Sequence, residues 1–189
     1  MIGVSESQRP GRYQRSTSGL VGAMVIIVVA VVGFVGFRAL VSDEPDVKPE
    51  DVDYLEIVGL AQDADIEPVY PADLPDGWIA TRAEVLPDDP PGFDLAMLTD
   101  DEQFVGMVWS AEPIDDLLAE RVDDEDVEDA EPLTVEGSVA PRWDGYADPG
   151  GDLAYAAEVG DHSVLVYGSA PEEDVRAVVE SLTTAPLAR

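Results

Sequence analysis

The run Leu153–Leu182, LAYAAEVGDHSVLVYGSAPEEDVRAVVESL, decides how this chain folds. Leu153–Val159 and His162–Tyr167 are apolar, rich in β-formers and separated by Gly160 and Asp161 alone. A glycine leading a two-residue loop is the signature of a type II′ hairpin, because only glycine reaches the required positive φ without steric cost. After the second strand, Ser169 and Glu172 have the S-x-x-E spacing of a capping box around Pro171. Val175, Val178, Val179 and Leu182 then repeat at i, i+3, i+4 and i+7, the apolar stripe of an amphipathic helix. Two antiparallel strands followed by a helix with one apolar face predict a sheet on which that helix lies.

Upstream, Phe93–Leu98 and Phe104–Trp109 are short apolar runs joined by a polar stretch, which predicts a second hairpin. In the latter, Phe104, Gly106 and Val108 face one way and Val105, Met107 and Trp109 the other, so both faces are apolar and the strand is expected to be central. Trp78–Leu86 predicts a further strand, closed by the turn-forming Asp88–Gly92. Helical spacing recurs in Asp51–Asp65, where Asp51 or Asp53 is available as N-cap, and in Ile114–Val122. Asp123–Glu131 carries seven carboxylates in nine residues and is expected to stay outside the core. Strands this close in sequence leave no room for repeated parallel crossovers. The fold class is therefore α+β, a mostly antiparallel sheet with helices packed on one face.

Toward the N terminus the pattern changes. Leu20–Phe37, LVGAMVIIVVAVVGFVGF, has eighteen residues without a charge and no polar stripe. At about 1.5 Å per residue it spans about 27 Å, close to the roughly 30 Å of a bilayer's hydrocarbon core. Arg9, Arg12 and Arg15 precede it, and cationic flanks favour the cytoplasmic side. The expected topology is single-pass in the cell membrane, N terminus inside and C-terminal domain outside. The run is longer than a signal peptide's apolar region and lacks an A-x-A-like site after it, so an uncleaved anchor is expected. The expected organisation is a cytoplasmic tail at 1–18, a transmembrane anchor at 19–41 whose partner is the lipid bilayer, an acidic proline-containing linker at 42–50, an outer domain at 51–185 and a short tail at 186–189.

Composition excludes whole classes of chemistry. The 189 residues contain no cysteine and one histidine, His162, so disulfides, thiolate sites and multi-histidine zinc centres are ruled out. Forty-one acidic against ten basic residues give a net charge of −31, which would repel nucleic acid. The anchor divides that charge unequally, since from Arg38 onward there are 40 acidic and 7 basic residues.

RYQRS before the anchor, VDY at Val52–Tyr54, P-x-x-LP-x-GW at Pro71–Trp78, FVGMVWS at Phe104–Ser110, Arg142-Trp143, and GSA-x-EE at Gly168–Glu173 occur in this order and spacing. Together they resemble the uncharacterised actinobacterial membrane proteins grouped as domain of unknown function 4245, over about Arg12–Leu182. The resemblance implies a one-pass membrane protein with an outer α+β domain; it brings no activity and no cofactor.

Among candidate site residues, Trp143 and Tyr146 lie in a turn-rich segment and are expected to form a surface for an envelope glycan or protein partner. Trp109, mid-strand, is expected in the core. His162, opening a strand after a tight turn, is read as structural, and Ser169 as a helix cap with no nucleophile elbow around it. Asp123–Glu131 lacks the D-x-[DN]-x-[DN]-G frame of a calcium loop. The functional expectation is a membrane-anchored binding or scaffold module of the envelope rather than an enzyme. The alternatives are a carboxylate-dependent hydrolase of envelope glycans and a calcium-responsive outer module.

Overall fold

The computed structural model describes residues 50–123 and 127–188. The expected tail at 1–18 with Arg9, Arg12 and Arg15, the anchor at 19–41 and the linker up to residue 49 lie outside the described residues. Among the described residues, no helix is long and apolar enough to cross a membrane.

Seven strands form one sheet: β2 (Ile79–Leu86), β3 (Gly92–Leu98), β4 (Phe104–Ser110), β5 (Glu128–Thr134), β6 (Arg142–Ala147), β7 (Leu153–Val159) and β8 (His162–Gly168), in spatial order β2-β3-β4-β8-β7-β6-β5. Every adjacent pair is antiparallel. β1 (Tyr70–Pro71) and β9 (Leu182–Thr183) pair separately. Among the described residues there are three helices: α1 (Tyr54–Asp63), α2 (Ile114–Arg121) and α3 (Glu172–Ser181). The fold is α+β, as the residue patterning predicts.

Two meanders build the sheet. β2-β3-β4 runs in one direction, α2 carries the chain to the far edge, and β5-β6-β7-β8 returns until β8 pairs with β4. The β7–β8 turn is the expected two-residue loop, with Val159 opposite His162. Gly160 has φ 66° while Asp161 is not among the positive-φ residues, the combination a II′ turn needs.

The expectation of helices on one face is corrected. α1, through Tyr54, Val58 and Ala61, and α3, through Val175, Val178 and Val179, cover one face and bury Phe93, Leu95, Met97, Met107, Trp109, Val164 and Val166. α2 packs on the other with Leu117 and Leu118 against Val108, Leu165 and Ala156. Each helix has one apolar side, but the two faces of a central strand are equally apolar. Sequence periodicity therefore cannot say which face a helix takes.

Two local expectations are also corrected. Ser169 is exposed and makes no cap; the N-cap position is Pro171, with φ −50° and ψ 149°. Proline disfavours the helical region for the residue before it, so Ala170 cannot be helical and the helix begins at Glu172, leaving Ser169 too far upstream. The acidic run stays outside the core as expected, although Glu128–Glu131 enter β5, an edge strand whose acidic side chains stay in water while Leu133 faces the core. The fold also continues past 185. Gln62 donates from Nε2 to the Ala185 carbonyl at 3.2 Å, its Oε1 accepts from the Leu187 amide at 3.0 Å, and Leu187 packs on the core.

Candidate functional site

Trp143 and Tyr146 do not form one surface. They sit three residues apart on β6 and so point to opposite faces of the sheet. Trp143 is 0 % exposed in the two-helix core, with Nε1 donating to the Ala140 carbonyl at 3.0 Å. Tyr146 is half-buried against the α2 face. It borders a shallow groove of about 300 Å³ lined by Asp115, Leu118, Ala119, Val127 and Asp129. Burial first, then the charges of Asp144, Asp129 and Asp115, push its phenol above the ordinary range. Among the described residues, no three His, Asp or Glu side chains converge as a metal site would require.

His162 stacks on Trp109, ring centroids 4.0 Å apart and 12° from parallel, with Nε2 3.0 Å from the Pro91 carbonyl. A carbonyl can only accept, so Nε2 carries the proton and donates. The ring is thereby held as a structural tie between β8 and the segment before β3.

The charged constellation that does assemble lies beneath α2 and centres on Asp94. This carboxylate, 2 % exposed, occupies the β3 position opposite Glu84. One oxygen takes Arg82 Nη2 at 2.7 Å and the other Arg121 Nη1 at 2.9 Å. Arg82 also reaches Glu84 at 3.8 Å. Arg121, in the last turn of α2, has a buried Nε that lies 3.4 Å from Glu120 without the geometry of a hydrogen bond. Burial lowers the proton affinity of the Arg121 guanidinium, but Asp94, Tyr167 and Glu120 together hold it above its ordinary value. Burial raises the phenol of Tyr167, and neighbouring Arg121 opposes that rise. Tyr167 reaches this cluster because it crosses over Gly106 on β4, where a Cβ would lie 2.5 Å from the ring. Phe104 meets the same ring edge-on at 5.8 Å.

With both oxygens occupied by arginines, Asp94 fastens α2 to β2 and β3. A buried charge requires such pairing, because an isolated one costs far more than its neighbours could return. The sequence signal for this network is slight: a lone acid in the apolar run Phe93–Leu98, and arginines on elements far apart in the chain.

The remaining two arginines are paired as well, Arg142 with Asp144 at 3.4 Å and Arg176 with Glu180 at 3.8 Å. All four arginines between residues 50 and 188 are thus engaged by carboxylates, against 37 acidic residues in the same stretch. The excess charge on this domain is entirely negative.

The chain thus carries an acidic α+β domain in which Asp94, the one buried carboxylate among the described residues, is neutralised by two arginines. The family model for the protein of unknown function DUF4245 matches residues 12–182, and the chain belongs to that family. It matches none of the curated proteins. Among solved structures it is similar to a chain of the Pseudomonas aeruginosa MucA/MucB complex, at 15 % identity and a TM-score of 0.32. That likeness covers 61 % of this chain, which spans about a third of the other, 34 %.

Proposed function

We propose that this chain is a single-pass membrane protein, N terminus cytoplasmic, whose outer α+β domain is a non-catalytic binding or scaffold module of the cell envelope. The observation that carries the binding role is the charge arrangement. Every arginine of the domain is ion-paired, so the surface presents uncompensated carboxylates and attracts cationic partners while repelling anionic ones. The uncharged run Leu20–Phe37 behind Arg9, Arg12 and Arg15 supports the anchoring role. The aromatic side chains nominated for glycan stacking do not form a shared platform, which favours a protein partner over a glycan.

The absence of cysteine makes the topology directly testable. Ser5→Cys and Glu136→Cys variants of the chain are treated in intact cells with a membrane-impermeant maleimide. Glu136→Cys should label before lysis and Ser5→Cys only after it; the reverse pattern refutes the orientation. The same cells are crosslinked, and captured proteins are compared with those of a chain ending at residue 50. A partner that requires residues 51–189 is expected, and identical capture by both chains would contradict the binding role.

A further inference from the structure

The two edges of the seven-stranded sheet differ in their readiness to accept another strand. An edge strand presents alternate N–H and C=O groups with no partner, and proteins commonly block such edges with proline, bulges or charge. β5 carries all three: Pro132, a register shift between Ala130 and Leu133, and the exposed acids Glu128, Asp129 and Glu131. β2 has its bulge at the start, between Ala80 and Arg82. The Val52 amide covers that end by donating to the Ala80 carbonyl at 2.8 Å. From Arg82 to Leu86 the register against β3 is unbroken, no proline intervenes, and Arg82 and Glu84 offset one another's charge.

We propose that the outer edge of β2, Arg82–Leu86, accepts an extended basic segment of a partner protein as an eighth strand of the sheet. This rests on the binding role above and names its site and the chemistry of its partner. Strand addition draws affinity from main-chain hydrogen bonds and specificity from alternate side chains. Here the acids flanking the edge choose the sign of the partner. Glu50, Asp51 and Asp53 stand exposed around Val52 at one end, and Asp88 and Asp89 just beyond Leu86 at the other. A segment laid along β2 therefore meets carboxylates at both of its ends. A second copy of this chain is disfavoured for the same reason: antiparallel pairing of two β2 strands would set Asp51 and Asp53 of one against Asp88 and Asp89 of the other. A strand bearing lysine or arginine relieves that field instead.

The test uses the 189-residue chain in detergent micelles and an eight-residue peptide of alternating lysine and valine. Its control is the same peptide with every second amide N-methylated, which keeps the charge and removes ladder donors. Binding of the plain peptide should be at least tenfold tighter than that of the methylated one. A version carrying a cysteine-reactive group should crosslink to Glu84→Cys, exposed on β2, and not to Asp129→Cys, exposed on β5. Equal affinity of the two peptides would leave charge attraction in place and overturn strand addition. Binding of neither overturns the proposed site, while the partner capture in cells still decides the broader binding role. Disulfide-linked dimers of Glu84→Cys, the midpoint of the edge, would overturn it in favour of self-pairing. Raising salt from about 0.05 to 0.5 M, which shortens the screening length severalfold, should weaken both peptides and shrink the charge contribution they share.

Discussion

The two faces of the sheet are built on different principles. The face under α1 and α3 is an apolar core in which Trp143, Phe93, Leu95, Met97 and Met107 are fully buried or nearly so. The face under α2 has fewer large side chains and is fastened by the Asp94, Arg82 and Arg121 network with Tyr167 laid across Gly106. Burial of apolar surface is non-directional and tolerates exchange of volume. A buried ion network is directional and intolerant of losing one member. The contrast shows why a chain this acidic retains two of its few arginines at one buried carboxylate: a short helix with only Leu117 and Leu118 buried needs a second, oriented attachment.

Mutations on the two faces should therefore fail differently. Trp143→Ala leaves a large cavity in a fully buried site and should lower unfolding free energy by about 4 kcal/mol, read by denaturant titration of the chain in micelles. Asp94→Ala should cost about 3 kcal/mol, because Arg121 is left partly buried with no carboxylate on its Nη1. The sharper comparison is rescue. Combining Asp94→Leu with Arg121→Leu should recover most of the stability lost in Asp94→Leu alone, since apolar replacement of a whole buried pair is often near neutral. If the double variant were as damaged as the sum of the singles, Asp94 and Arg121 would not be acting as a coupled pair.

Gly106→Ala addresses how the network is roofed. The new Cβ would collide with the Tyr167 ring, which must move away from Arg121 or strain β4. Overpacking of this kind should cost about 2 kcal/mol. Pairing it with Tyr167→Leu, which removes the ring, should recover part of the loss; no recovery would mean that the backbone of β4, rather than the ring, objects to the methyl group.

The legible parts of this molecule are those whose structure is set locally. The Gly160-Asp161 hairpin, the pair of strands around residues 99–103 and the stripe of α3 follow from turn chemistry and periodicity within a few residues. What escapes a reading of the sequence depends on neighbours far along the chain. Trp143 sits among turn formers, yet Gly145 allows the β5 backbone to approach so closely that a Cβ there would strike the Glu131 carbonyl, and a strand results. The first half of β5 is too acidic to enter the core, but an edge strand needs only one inward residue, and Leu133 supplies it. The Asp94 network was hidden because Arg82, Asp94 and Arg121 meet only after the β2–β3 register and the crossover through α2 are known.

The smallest expected effect distinguishes the faces by pH. Tyr54 and Tyr155 belong to the two-helix face, and burial, reinforced by nearby carboxylates, pushes both phenols from 10.0 up to about 12. Tyr54 donates to the Pro71 carbonyl at 3.0 Å and Tyr155 to Glu172 at 3.1 Å, bonds that require the neutral phenol. A folded pKa above the unfolded one means that the contribution is complete below about pH 10 and is lost as pH rises toward 12. Stability should thus fall between pH 10 and 12, and Tyr54→Phe, at a cost near 1 kcal/mol at neutral pH, should flatten that fall. On the opposite face, Arg121 partly opposes the rise that burial gives Tyr167, so Tyr167→Phe should flatten it less. Denaturant midpoints of the three proteins across that pH range measure the difference. Equal flattening by both substitutions would mean that the arginine does not shield its face from alkali, and that the two faces share one electrostatic regime.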